Sequence, residues 1–233
     1  MPAARTSPRR FARASRVAGL YAVTPDDDDT GALLAKVVAA VDGGAALVQY
    51  RGKSTDATLR RHQAQALATA QAVRRALYIV NDDPGLACDV DADGVHLGAG
   101  DASIAQARAR IGPDRLIGVS CYDDLALAQA AVEAGADYVA FGSFFPSQVK
   151  PAACRAGVDL LERARALGVP VVAIGGITSA NAAVLIAAGA RAVAVISDVF
   201  AHDGPAQVTR AAARIAARFH APTETFEPMQ SRA

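Results

Sequence analysis

The chain has 233 residues, 52% of them apolar, and a formal net charge of +1. That is enough for a full core, in one large α/β domain or two small ones. The near-neutral charge gives no electrostatic case for nucleic acid or a membrane surface. Trp is absent, which weakens base stacking, and no apolar run reaches the roughly 18–20 residues of a membrane span.

Residues 1–16 carry Arg5, Arg9, Arg10, Arg13 and Arg16 with no apolar stretch between them. They read as a disordered basic arm and not as a secretory signal, although an Arg- and Ser-containing, acid-free leader also suits a transit peptide. Gly19 to Thr24 is a first apolar strand, closed by Pro25. The acidic run Asp26 to Asp29 reads as solvated loop and helix N-cap, where carboxylates suit the positive end of the helix dipole. Leu33, Leu34, Val37, Val38 and Val41 follow at helical spacing until Asp42-Gly43-Gly44 stops them.

The second strand, 45–50, runs from apolar letters into Gln49, Arg51 and Lys53, which share one side of an extended chain. Alone, this is a solvated strand end or an anion site. Lys occurs only as Lys36, Lys53 and Lys150. Arg is therefore the routine cation, and a Lys inside this motif stands out. Ser54-Thr55-Asp56 caps a helix to about Arg75. Leu77 to Val80 is a third strand ending in Asn81-Asp82-Asp83-Pro84, with a short helix through Leu86 and Ala87. Gly94 to Leu97 is a fourth, followed by Asp101 and a helix from Ser103. Arg115 to Ser120 is a fifth, with Asp123 or Asp124 capping a helix to Ala134. Tyr138 to Gly142 is a sixth, followed by a loop through Lys150 to Ala156. A helix from Val158 to Leu167 leads to the seventh strand, Val171 to Ile174. Thr178 caps a helix to Ala187. Ala192 to Ile196 is the eighth strand, its helix ends near His220, and 221–233 read as a disordered tail.

Eight βα units with continuous apolar strands predict an α/β fold, a single (β/α)8 TIM barrel over 17–220. A doubly wound open sheet is the alternative, but no Gly-x-Gly-x-x-Gly follows the first strand. A barrel places its site at the C-terminal strand ends. Asp82 and Asp101 end neighbouring strands and make a hard-oxygen pair suited to Mg²⁺ held with substrate phosphates, or are helix caps paired to cations. Gly175-Gly176 and Ile196-Ser197 suit a phosphate cup or plain turns. His96 reads equally as a base or as a packed side chain. Cys88, Cys121 and Cys154 match no zinc spacing and read as reduced thiols of a cytoplasmic protein.

The motifs, in this order, resemble the thiamine-phosphate synthase family over Leu20 to about Phe200. They are Gln49-Tyr50-Arg51-Gly52-Lys53, Asn81-Asp82, Asp93 to Gly98 with Asp101, and Gly118 to Cys121. Gly135 to Tyr138 with Gly142 to Lys150, Ala173 to Ile177 and Val195 to Ser197 complete the set. The resemblance implies a transferase of thiamine biosynthesis. It couples 4-amino-2-methyl-5-hydroxymethylpyrimidine diphosphate to a thiazole phosphate, giving thiamine phosphate and diphosphate. It implies that Gln49, Tyr50, Arg51, Gly52, Lys53, Asn81, Ser120 and Lys150 bind the pyrimidine diphosphate. Arg51, Lys53, Ser120 and Lys150 would carry catalysis, and Asp82 and Asp101 would hold Mg²⁺. Ser147, Gln148, Val149, Gly176, Ile196 and Ser197 would cradle the thiazole phosphate. Partners would be small molecules only, and the oligomeric state stays open, a homo-oligomer included.

Three letters, in two motifs, depart from the family pattern. Gly52 replaces a Glu, and Ser147 and Val149 replace the two Thr of Pro-Thr-x-Thr-Lys. The alternatives are a thiazole tautomerase, which resembles this outline but carries a His after the strand-five serine, and a non-catalytic paralogue that binds thiamine phosphates. Cys121 and Tyr122 stand where that His would be.

Overall fold

The computed structural model describes residues 7–146 and 156–220. Eight parallel strands close into one barrel in sequence order: β1 (Gly19–Val23), β2 (Ala45–Tyr50), β3 (Leu77–Asn81), β4 (Gly94–Leu97), β5 (Leu116–Tyr122), β6 (Tyr138–Phe141), β7 (Val171–Ile174) and β8 (Ala192–Val195). β8 pairs back onto β1, with Gly19 opposite Ala192 and Ala22 opposite Val195, so no edge is left unpaired.

The apolar letters of each strand divide by parity. Tyr21, Val23, Leu47, Leu77, Ile79, Leu116 and Tyr138 pack together in one cluster that fills the barrel. Leu20, Ala22, Val48, Tyr50, Tyr78, Val80, Ile117 and Val139 pack outward with the helices. Strands buried on both faces need no polar alternation, which is why they read as continuous apolar runs. Each fully buried Leu, Ile or Val contributes on the order of 1.5–3 kcal/mol.

The outer layer is α2 (Thr30–Asp42), α3 (Ala57–Thr69), α4 (Pro84–Asp89), α5 (Ile104–Ile111), α6 (Leu125–Glu133), α7 (Asp159–Ala164), α8 (Ala182–Ala188), α9 (Ser197–Phe200) and α10 (Pro205–Ala216), after an N-terminal α1 (Pro8–Ser15). The side chains of Asp29, Asp56 and Asp124 accept from the first backbone N–H groups of α2, α3 and α6. Ser103 and Gln106 form a reciprocal capping box on α5.

Some sequence expectations are corrected. α3 ends at Thr69, and only a short 3₁₀ turn occupies Val73–Arg75. Thr178 does not cap α8, which starts at Ala182 after a turn that Asn181 closes. The helix after β8 is two helices, because Gly204 turns the chain at φ 84° and Pro205 restarts it.

The largest correction is at the start. The sequence predicts a disordered arm over 1–16, yet Pro8–Ser15 is helical. Ser7 caps it, accepting from Arg10 N at 3.1 Å and donating to Asp114 Oδ1 at 2.6 Å. Arg10 Nε donates to Asp137 Oδ1 at 2.6 Å and Arg13 Nε to Asp93 Oδ1 at 2.8 Å. Asp93 and Asp137 lie just before β4 and β6, at the barrel end opposite the C-terminal strand ends. Arg10 and Arg13 are not part of a solvated tail but the means by which α1 docks under the barrel. The following Val17 is fully buried in the inner cluster, and Ala14 packs against it.

Candidate active site

The C-terminal ends of β1 and β2 are tied together. Thr24 Oγ1 accepts from the backbone N–H of Arg51 at 2.8 Å, and Lys53 N donates to Asp26 Oδ1 at 2.8 Å. The Arg51 guanidinium lies 3.8 Å from Asp26 Oδ2. Strand pairing stops at Tyr50, so loop contacts to the acidic run, and not strand alternation, place Arg51 and Lys53. The run therefore divides its labour: Asp29 caps α2, Asp27 pairs with Lys36, and Asp26 fixes the basic wall. The sequence reading of capping and solvated loop missed Asp26.

Gln49 is 5% exposed, and its Nε2 donates to Tyr21 Oη at 2.9 Å. Tyr50 and Gly52 correct the expectation for the motif. The side chain of Tyr50 is buried on the helix side of the barrel, and its hydroxyl donates to Gln63 Oε1 at 3.0 Å. Burial pushes the phenol up to about 12. A Cβ at Gly52 would sit 2.5 Å from Tyr50 Oη and 2.9 Å from its Cζ. The Tyr ring fills the space where a side chain at 52 would start, so neither residue offers a side chain to the site.

Asn81 ends β3 in register with His96, and Asp82 follows with φ 63°, its N–H donating to His96 O at 2.8 Å. Asp is among the few residues that tolerate this left-handed conformation. The Asp82 carboxyl is raised to about 6, first by partial burial, then by its hydrogen bond to Asp101 and that group's charge; Arg51 and Asn81 act in the opposite sense. Asp101 Oδ2 also accepts from Gly98 N at 2.6 Å, which fixes it across from Asp82. Among the described residues no group of three or more His, Cys, Asp or Glu gathers as a metal cage. Two adjacent carboxylates beside a guanidinium, with open coordination left over, fit a hard cation that completes its shell with water and phosphate oxygens.

β5 bulges at its end. Ser120 pairs with Ala140 and Tyr122 with Phe141, leaving Cys121 as the extra residue, and Tyr122 takes φ 52°. Cys121 is buried with the helices, and burial pushes its thiol up to about 12, so it is a packed thiol and not a nucleophile. Ser120 Oγ is 2.9 Å from His96 Nε2, and His96 Nδ1 is 3.1 Å from Tyr138 Oη. Both imidazole nitrogens are engaged and burial holds the ring down to about 4, which leaves His96 neutral and without a free nitrogen to act as a base.

The ends of β7 and β8 form a cavity of about 390 Å³ lined by Pro146, Gly175, Gly176, Thr178, Ile196 and Ser197, among others. Gly176 has φ 63°, and a Cβ there would lie 2.4 Å from Pro146 O and 2.6 Å from Phe145 O. Asn181 braces this loop, accepting from Thr178 N at 2.8 Å and donating to Gly176 O at 3.0 Å. A second cavity of about 260 Å³ shares Ile196 and Ser197 and runs to Asp26 and Arg51. The cup and the basic wall thus meet at one rim. Ser147, Gln148, Val149 and Lys150 lie outside the described residues.

The family model described as thiamine monophosphate synthase matches residues 20–199. The chain is 56% identical over 207 residues to a thiamine-phosphate synthase of Thiobacillus denitrificans, covering 88% of this chain and 97% of that protein. It is 54% identical over 180 residues to one of Methylobacillus flagellatus, covering 77% and 86%. Among solved structures, thiamine phosphate pyrophosphorylase from Pyrococcus furiosus superposes with a TM-score of 0.77 at 33% identity, over 88% of this chain and 96% of that one.

Proposed function

The chain belongs to the thiamine monophosphate synthase family, and from that premise we propose that it joins the aminopyrimidine methyl diphosphate to thiazole phosphate, releasing diphosphate. The observation that carries the reading is one rim holding both a carboxylate pair beside Arg51 and a glycine-walled cavity of about 390 Å³. A transferase that unites a diphosphate with a phosphate needs both.

The arrangement suits a reaction with no protein nucleophile. Breaking the carbon–oxygen bond to diphosphate leaves a methylene cation that the aminopyrimidine ring delocalises, and the thiazole nitrogen closes the new carbon–nitrogen bond. Arg51 and Lys53 neutralise charge that grows on the departing oxygens, and Lys150 joins them by the family motif. Asp26 holds the Lys53 backbone and lies beside the Arg51 guanidinium before substrate arrives, which limits the reorganisation left for the reacting step. Gly176 and Ser197 hold the thiazole phosphate, and Ser120 orients the pyrimidine. Asp82 and Asp101 would hold Mg²⁺, which supplies further charge neutralisation for the leaving diphosphate. Cys121 stands where the tautomerase reading needs a His, and its burial leaves it no such role.

Among the described residues no helix is long and apolar enough to cross a membrane, and a cytoplasmic setting accords with reduced thiols. The test is to incubate the protein with both substrates and Mg²⁺ and follow diphosphate. Release that depends on both substrates supports the synthase. Tight thiamine phosphate binding without release would instead identify a binding paralogue.

A further inference from the structure

Five polar side chains form one hydrogen-bonded line through the upper barrel, from Gln49 on β2 to Ser120 on β5. Gln49 Nε2 is 2.9 Å from Tyr21 Oη, which is 2.9 Å from Tyr138 Oη. Tyr138 Oη is 3.1 Å from His96 Nδ1, and His96 Nε2 is 2.9 Å from Ser120 Oγ. Tyr21, Tyr138, Gln49 and His96 are each at most 7% exposed. Such a line inside an apolar core costs desolvation at every member, so each must be satisfied by the next.

The backbone makes room for it. β5 carries Gly118 between His96 on β4 and Tyr138 on β6. A Cβ at Gly118 would lie 2.0 Å from Tyr138 Cζ, so the Tyr138 ring occupies the volume that any other residue would fill. It crosses that gap to stack on His96, with centroids 5.6 Å apart and planes 27° from parallel.

We propose that this line has a fixed polarity, running from the Gln49 amide to the Ser120 hydroxyl, and that Tyr21, Tyr138 and His96 are positioning residues that present Ser120 as a hydrogen-bond donor to substrate. The argument is an inventory of protons. The Gln49 amide donates to Tyr21, so the Tyr21 oxygen is taken as an acceptor and its own proton turns to Tyr138. Tyr138 in turn gives its proton to His96 Nδ1. A neutral imidazole that accepts at Nδ1 carries its proton on Nε2 and donates to Ser120 Oγ. The serine proton then has no partner within the line and points to the mouth. The polarity suits an acceptor on the substrate, such as a ring nitrogen or a phosphoryl oxygen. Reversing it would present Ser120 to the mouth as an acceptor only.

The inference deepens the synthase reading and rests on it for the substrate, but its first test needs no turnover. Nitrogen-15 NMR of the ligand-free protein, with His96 assigned by its loss in His96→Asn, reads the tautomer. The expected result is the Nε2–H form. An Nδ1–H form means that the line runs the other way and overturns the proposal, whether or not the protein makes thiamine phosphate. The second test is Tyr21→Phe, which deletes one hydroxyl and keeps the ring. We expect kcat/KM for the pyrimidine diphosphate to fall roughly tenfold, the loss of one aligned hydrogen bond. The KM for thiazole phosphate should stay within about twofold, and part of the His96 signal should shift to the Nδ1–H form. A Tyr21→Phe protein that only melts earlier, with wild-type kinetics and tautomer, has lost a structural contact and also overturns the proposal.

Discussion

Asp82 illustrates how the backbone limits the choice of a test. It sits at φ 63°, where Ala costs roughly 1 kcal/mol or more, so Asp82→Ala mixes backbone strain with loss of the carboxylate. Asn tolerates the same conformation and removes only the charge. Asp82→Asn should fold normally and lower kcat by about two to three orders of magnitude, the scale at which a lost charge-stabilising group acts. Steady-state kinetics with circular dichroism on the same sample checks both halves, and a near-wild-type rate would remove Asp82 from the site. Lys150→Ala should cause a comparable loss. His96 makes a separate prediction about pH. Burial lowers its imidazole from 6.5 to about 4, so between these values the unfolded chain takes up a proton that the folded chain refuses. Stability is complete above the unfolded value and falls as pH drops toward about 4, by at most roughly 3 kcal/mol. Asp82 acts in the opposite sense over much of this window, because a carboxyl raised to about 6 favours the folded state as it protonates. Solvent screens Asp82 and not His96, so the histidine should win. Melting temperature followed from pH 7 downward should fall more steeply for wild type than for His96→Asn; parallel curves would refute the assignment.

At the scale of elements, most of what the sequence shows is periodicity and punctuation, and these were legible. Continuous apolar runs bounded by Gly-Gly, Gly-Ala and Asn-Asp mark all eight strands, and Asp29, Asp56 and Asp124 stand at the helix starts where short acceptors belong. The carboxylate pair, the basic stretch and the glycine turn were legible as C-terminal strand ends that a barrel gathers at one end, while their reading as a substrate site came from the family resemblance. What escaped was anything set by a partner far along the chain. Tyr21 and Tyr138 look like core aromatics, and only the closed barrel brings their hydroxyls within 2.9 Å. Asp26 looks like one of four loop acids until β1 and β2 lie side by side. The family departure at Gly52 has the same origin. Its neighbour Tyr50 turns to the helices, bonds Gln63, and covers the space a side chain would need; Gln63 Nε2 in turn donates to Asp27 O at 2.7 Å. Restoring the family glutamate by Gly52→Glu should therefore be harmful. Because Tyr50 is 2% exposed and its ring has no room to retreat, overpacking should cost about 1–3 kcal/mol. Urea unfolding of Gly52→Glu checks this. Unchanged stability would mean that Tyr50 swings away freely.

On the scale of the whole molecule the barrel has two ends with opposite electrostatic purposes. The upper end gathers the groups proposed above to meet substrate, with Arg51, Asp82 and Asp101 near one rim. The lower end has its charges neutralised. Asp137 is 6% exposed and takes Arg10 Nε at 2.6 Å, Arg108 Nη2 at 2.8 Å and the Ile117 N–H at 2.8 Å. Burial and the neighbouring Arg10 push the Arg108 guanidinium down, while Asp137 offsets them, so the three charges hold as a unit. Breaking such a buried set costs more than its net worth, because the remaining ions are stranded. Asp137→Ala should lower stability by about 3–5 kcal/mol for that reason. Deleting residues 1–15 should cost less, since it removes Arg10 together with its desolvation and leaves Arg108 to satisfy the carboxylate. Both changes lie at the end away from Arg51, Asp82 and Ser197, so kcat measured well below the melting temperature should be unchanged in each. If the truncated protein instead lost activity while its melting temperature held, α1 would act on the site and not only on the barrel floor. Chemical denaturation with parallel kinetics on the two variants decides between these roles.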